Sequence, residues 1–129
     1  MITINNKIYN NYKTFIKWGD FSAIVNGKKE HGIAPVIKFI LEDSIMIELE
    51  FAFSKEKFQN LEKNQRVDFS RYLVGVAYED DNGWLPIINE SVIVYLTRIN
   101  EYEFKIDLKI KCIELDDMFI NINRCIKIL

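Results

Sequence analysis

The sequence predicts an all-β fold: a single antiparallel domain of about nine or ten strands with one short helix, forming a meandering barrel or a two-sheet sandwich. Apolar residues alternate with polar ones along most of the chain, which is typical of half-buried strands. Turn-forming residues separate these runs at short intervals, and short connections join antiparallel neighbours. Pairing between the first and last strands would decide between barrel and sandwich, and the sequence leaves both open.

Six clusters of turn residues separate the predicted strands. They are Gly19-Asp20, Asn26-Gly27, residues 42–44, Asn82-Gly83, Asn100-Glu101 and Asp116-Asp117. If the first cluster is a two-residue turn, Trp18 pairs with Phe21, and the inward side chains of both strands lie on one face of the sheet. The three-residue connection at the third cluster pairs Phe39 with Ile47, again apolar against apolar.

One segment, residues 54–64, interrupts the strand pattern. Ser54 is a good N-cap, and Phe58 and Leu61 lie three residues apart on one helical face. We therefore expect the only short helix here. No repeat, flexible linker or charge block divides the chain, so the prediction is one β-rich domain over residues 1–129.

The last two predicted strands form a hairpin whose register is ambiguous. Inward positions are even-numbered up to Cys112 and odd-numbered just beyond it, which predicts a β-bulge at this point. The bulged register, with its turn at the last cluster, pairs Ile110 with Ile122. It also sets Arg124 opposite Leu108, an inward charge that indicates an edge or cavity-mouth position and so hints at function.

The same register predicts that the two cysteines do not form a disulfide. Cys125 would lie opposite Asp107, roughly 16 Å along the ladder from Cys112, and a disulfide needs Cα atoms within about 7 Å. Free thiols indicate a reducing compartment. Because the N-terminal residues are polar, they do not resemble a secretory signal, and the predicted location is the cytoplasm.

Charge and hydropathy exclude two classes of partner. The chain has 17 basic and 19 acidic residues with no basic block, so a nucleic-acid partner is not expected. Its longest apolar run, residues 92–96, is far shorter than the roughly 18 residues of a membrane helix. We therefore expect no membrane partner either.

Residues for the common catalytic and metal-binding sites are sparse. His31 is the only histidine, in an apparent loop between glycines, and no cluster of metal ligands accompanies it. We therefore predict no metal or other cofactor, and an enzyme is disfavoured. A weaker alternative is a hydrolase using Glu48 and Glu50, which lie two apart on one polar strand face.

The preferred functional hypothesis is a non-enzymatic protein-binding or assembly module that uses an edge strand or a loop end. A small structural subunit and an antidote-type inhibitor are two such roles, with another protein or a second copy of the chain as partner. The alternative is a β-barrel that binds a small apolar ligand in an aromatic-lined cavity. The candidate residues for that cavity are Trp18, Tyr72, Tyr78, Trp84, Tyr95 and Arg124.

Overall fold

The computed structural model describes residues 1–25, 27–42, 44–81, 83–87, 91–112 and 118–127. Within these ranges it contains eleven strands, one more than the upper sequence estimate, because several strands have only three residues. The strands are β1 (Ile2–Ile4), β2 (Lys7–Tyr9), β3 (Tyr12–Val25), β4 (Lys28–Leu41), β5 (Met46–Phe51), β6 (Arg66–Asp68), β7 (Leu73–Asp80), β8 (Gly83–Ile87), β9 (Ser91–Arg98), β10 (Glu103–Cys112) and β11 (Met118–Lys127). The helix α1 covers Lys55–Gln59, and a 3-10 turn covers Ser70–Tyr72.

The strands form two antiparallel sheets. Sheet A has the order β2-β1-β11-β10-β9-β6, and sheet B has the order β3-β4-β5-β7-β8. The first and last strands do pair, since Ile2 is the register partner of Ile122. This pairing lies within sheet A and leaves β2 and β3 as edges of different sheets, so the fold is a two-sheet sandwich and not a closed barrel.

The inward side chains of both sheets form one hydrophobic core. Its fully buried members alternate along the strands, as the sequence predicts; they include Ile37, Phe39, Ile47, Leu49, Val94, Leu96, Ile106, Leu108, Ile120 and Ile122. Where the chain crosses between the sheets, four rings form an aromatic cluster: Phe51, Phe53, Phe69 and Tyr72. The Ala52 N–H donates to the Tyr72 carbonyl at 2.7 Å, which joins the two crossings.

The predicted turn at Gly19-Asp20 is wrong. β3 runs straight through these residues, and Gly19 pairs with Ala34 in an unbroken ladder of fourteen pairs with β4. The chain reverses later, where two residues connect Val25 to Lys28 and Gly27 has a φ of +74°. Asn-Gly favours a tight hairpin more strongly than Gly-Asp does. His31 consequently lies in β4 rather than in a loop.

Other sequence predictions are confirmed. Phe39 pairs with Ile47, and the Leu41 N–H donates to the Ile45 carbonyl at 2.8 Å across the predicted three-residue connection. Ser54 is the N-cap of α1, accepting a hydrogen bond from the Lys57 N–H at 3.0 Å. The helix is shorter than the predicted segment, because it already ends at a C-cap on Asn60.

The predicted register of the C-terminal hairpin is wrong. Ile110 pairs with Ile120 rather than Ile122, and the ladder continues without a shift from Cys112 to Glu103. Arg124 therefore lies opposite Ile106 rather than Leu108. The predicted turn at residues 116–117 lies outside the described residues, but five residues connect the two strands, so a two-residue turn does not set this register.

The corrected register separates the cysteines further. Cys125 lies opposite Lys105 rather than Asp107, seven positions along β10 from Cys112, or roughly 23 Å at strand rise. Cys125 is a free, exposed cysteine, as the sequence predicts. In the part of the chain that the structure describes, no helix has both the length and the apolar character needed to cross a membrane.

Candidate functional site

On the outer face of sheet B, strands β3, β4, β5 and β7 carry three rows of cross-strand neighbours. The rows are Lys13-Ile40-Met46-Glu79, Phe15-Lys38-Glu48-Ala77 and Lys17-Val36-Glu50-Gly75. Large apolar side chains are accessible here: Phe15 is 51% exposed and Ile40 is 40% exposed. Together with Val36, Lys38 and Glu48 they line a shallow groove of about 490 Å³. This face therefore combines apolar area with charge.

The charges on this face are separated by sign. The lysines of the three rows lie on β3 and β4: Lys13, Lys17 and Lys38. The glutamates lie on β5 and β7: Glu48, Glu50 and Glu79. None of the six forms an ion pair with another described residue, although Lys38 and Glu48 are direct register partners. One half of the face is thus basic and the other acidic.

A second feature is the arm, which we define as residues 18–35 of the β3–β4 hairpin. β5 pairs with β4 only as far as Val36, and eight further β3–β4 pairs extend beyond that point. They span roughly 25 Å at strand rise. Its exposed described side chains are Asp20, Ser22, Ile24, Lys28, Lys29, His31 and Ile33. Ile24 is 77% exposed and Ile33 46% exposed, so the arm carries accessible apolar side chains.

The arm lies beside α1. A polar cleft of about 430 Å³ separates them, lined by Lys29 and His31 of the arm and by α1 residues including Glu56 and Lys57. In the described residues no cluster of histidine, cysteine or carboxylate side chains is placed to hold a metal ion. His31 therefore belongs to no group of three or more potential metal ligands among the described residues.

Two of the candidate cavity residues lie at the helix end of the sandwich. Trp18 is half-buried, with the Lys55 ammonium 5.4 Å from its ring. Tyr72 is buried in the aromatic cluster, with the Lys57 ammonium 4.4 Å from its ring. Each ring is thus covered by a lysine of α1, a cation–π arrangement that stabilises the helix against the sheets.

Tyr78 is buried on the inner face of β7. Burial, followed by the nearby Asp80 carboxylate that accepts its hydrogen bond, raises the pKa of Tyr78 to about 12. Both effects favour the neutral phenol over the phenolate. The hydroxyl is therefore a hydrogen-bond donor across the physiological pH range.

The raised pKa predicts a loss of stability in alkali. Because the folded protein holds this proton more tightly than the unfolded chain does, stability that is present below pH 10 should fall as the pH approaches about 12. Tyr78→Phe should show a shallower alkaline fall in the free energy of unfolding, measured by denaturant titration at a series of pH values. Tyr102→Phe, at an exposed tyrosine, is the control. Equal slopes for the two variants would contradict the prediction.

Tyr95 lies on the opposite side of the molecule. Its register partners are Asp68 and Asp107 on the outer face of sheet A. The guanidinium carbon of Arg66 lies 3.7 Å from its ring centroid, and Arg66 also pairs with Asp107 at 3.2 Å. This stack ties the short edge strand β6 to the sheet, so Tyr95 has a clear structural role.

Arg124 is half-buried on the inner face of β11. Its guanidinium carbon lies 4.4 Å from the Tyr12 ring centroid, so it links sheet A to the start of β3 in sheet B. Its buried Nε has no hydrogen-bond partner among the described atoms. The cation–π contact accounts for an inward charge that the sequence left unexplained.

The candidate cavity residues are thus distributed over several surfaces. Trp18, Tyr72 and Tyr78 face inward from sheet B or its crossing, while Tyr95 faces outward from sheet A. Trp84 belongs to β8 by its backbone, but its side chain lies outside the described residues. Since the sheets do not close, the barrel lumen that this alternative needs is replaced by the sandwich core.

Glu48 and Glu50 lie on the outer face of sheet B, two positions apart on β5, as the alternation predicts. Glu48 is half-buried in the groove, whereas Glu50 is exposed beside it. Their nearest cross-strand partners are Lys38 and Val36. They belong to the acidic half of a broad, open surface rather than to a deep substrate cleft.

Sequence reasoning missed both the arm and the separation of charges. The turn at Asn26-Gly27 was predicted, but a further turn predicted at Gly19-Asp20 divided the arm; preferring Asn-Gly, the stronger hairpin signal, would have given its length. The separation of charges depends on which strands are neighbours, which the linear pattern does not specify. Comparison of the chain with protein-family models, curated proteins and solved structures gives no match.

Proposed function

We propose that the protein is a non-enzymatic binding or assembly module whose arm docks onto a partner protein. The observation that supports this proposal is the eight-pair extension of the β3–β4 hairpin beyond the end of β5. A two-stranded ribbon gains little stability by itself, because it has no third strand and buries little apolar area. Contact with another protein would supply that missing burial.

The free edge of β3 supports the same role. In the described structure β3 pairs only with β4, so alternate N–H and C=O groups along fourteen residues have no strand partner. A partner can add a strand to such an edge, with main-chain hydrogen bonds supplying affinity. Lys13 and Lys17 lie near the base of this edge, where charged side chains discourage indiscriminate pairing. The more distal arm carries Ile24 as an exposed apolar contact.

Shortening the arm tests the proposal. In the variant, residues 19–34 are replaced by Asn-Gly, so that Trp18 and Pro35 remain paired across a two-residue turn. Among the removed side chains whose burial is described, only Ala34 is buried, at 5% exposed, so the free energy of unfolding should fall by only about 1–2 kcal/mol. Partners that cross-link stoichiometrically to the intact protein in its source cells should be lost.

The matched control is Lys105→Ser, a polar change on the outer face of sheet A that leaves the arm intact. Quantitative mass spectrometry of cross-linked complexes compares the three proteins. Loss of the same partner only on shortening supports arm docking. If the shortened protein retains every stoichiometric partner, or the intact protein has none, the proposal is wrong.

A further inference from the structure

We propose that two copies of the chain pack face to face through the outer face of sheet B, about a two-fold axis parallel to the strands and between β4 and β5. This goes beyond arm docking, because it uses a different surface and names a second copy as the partner. The evidence is the register of the three rows, their separated charges and their exposed apolar side chains.

The direction of the axis follows from the rows. A two-fold axis along the strands places the basic half of one copy over the acidic half of the other. Lys13 then lies over Glu79 of the second copy. In the same way Ile40 lies over Met46, and Phe15 over Ala77. In the first two rows every charge meets an opposite charge of the second copy, whereas the third row sets Val36 over Glu50 and Lys17 over Gly75.

The alternative in-plane axis, perpendicular to the strands, is disfavoured by the same charges. It would set Lys38 over Lys38 and Glu48 over Glu48 of the second copy, with Lys13 over Lys17. Like charges in an interface oppose association, so they exclude this arrangement. The separated charges therefore favour one orientation of the two copies over non-specific association.

The charged side chains without ion pairs to other described residues and the exposed apolar side chains of this face favour an interface between two copies. The six charges form no ion pair with another described residue, and Lys38 and Glu48 stay apart although they are register partners. Aligned packing of two twisted sheets at about 10 Å allows side chains from both faces to interdigitate. Phe15 and Ile40 supply exposed apolar area around the central Lys38 and Glu48.

The small area of the proposed interface predicts a weak dimer. Four strands about 4.8 Å apart and three rows about 6.6 Å apart give a flat patch of roughly 400 Å² per copy. That is about half the roughly 800 Å² per partner of a standard stable interface. We therefore expect a dissociation constant in the micromolar range, with dimers of twice 15.3 kDa at high protein concentration.

Charge reversal at Lys13 and Glu79 tests the axis. These residues lie three strands apart within one chain, roughly 14 Å, so reversing either should barely affect the monomer. Sedimentation velocity at about 100 μM should show dimers for the unaltered protein. Lys13→Glu alone and Glu79→Lys alone should each weaken self-association at least about tenfold, because each creates two like-charge contacts. An equimolar mixture of the two variants should restore dimers.

Two controls complete the experiment. Lys105→Glu makes the same charge change on the outer face of sheet A and should leave the dimer unchanged. The shortened-arm protein should also still form dimers, which separates this result from the test of arm docking. A monomeric unaltered protein at 100 μM, or a mixture that fails to restore dimers, would overturn the proposal.

Discussion

Replacing Phe53 with alanine is expected to lower the free energy of unfolding by about 3–5 kcal/mol, and the melting temperature by on the order of 10–20 °C. Phe53 is 1% exposed and lies where the chain leaves sheet B for α1. Its ring centroid is 5.4 Å from that of Phe51 and 5.1 Å from that of Phe69. Truncation leaves a cavity between the two crossings, which the surrounding rings cannot fill without moving both sheets.

Phe15→Ala is the matched control, because it removes the same side chain from the exposed outer face of sheet B. Its effect on the monomer should be near 0.5 kcal/mol or less. Chemical denaturation at low protein concentration compares the two variants without a contribution from self-association. Similar losses for Phe53→Ala and Phe15→Ala would show that the aromatic cluster does not hold the sheets together.

The sequence predicted several elements correctly because each depends only on residues close together in the chain. Ser54 supplies the oxygen that caps α1, and no other segment combines a cap with helical spacing. The connection between Leu41 and Ile45 is short enough that register and hydrophobic pattern agree. In these segments the residues within about ten positions of one another are sufficient to predict the local structure.

The arm shows where local reasoning fails. Gly19-Asp20 resembles a turn, and a reversal there would pair Trp18 with Phe21. The structure instead continues β3 to Val25. An extended strand needs no special residue at Gly19, whereas the later reversal uses a glycine with positive φ at Gly27. Both sites were predicted as turns, and rejecting the turn at Gly19-Asp20 requires a comparison of the energies of the two possible turns.

The candidate surface could be predicted only in part. Alternation correctly places Glu48 and Glu50 on one outward face. It does not reveal that Glu79 continues the acidic half, because β5 pairs with β7 across the intervening α1 and β6. Nor does it show that Lys13 and Lys38 lie together on the other half. A surface assembled from four strands depends on long-range pairing, which period-two patterns do not encode.

The C-terminal hairpin was mispredicted because apolar pairs fit more than one register. Ile110 meets an isoleucine in both registers, Ile122 in the predicted one and Ile120 in the structure. Shifting a strand by two residues preserves which side chains face inward, so desolvation alone discriminates poorly. In the structure Cys112 pairs with Met118, so residues 113–117, which lie outside the described residues, all separate the two strands.

An engineered disulfide distinguishes the two registers with an all-or-none result. In a Cys112→Ser background, Lys105→Cys should form a disulfide with Cys125 on mild oxidation, since directly opposite Cα atoms lie about 4.5–5.5 Å apart. The loop of roughly 20 residues that it closes should stabilise the protein by about 3 kcal/mol. Asp107→Cys in the same background is the matched control, because the predicted but incorrect register would place it opposite Cys125. Intact mass measured without reductant should show the loss of two hydrogens for the first variant only, and a bond in the second variant instead would restore the shifted register.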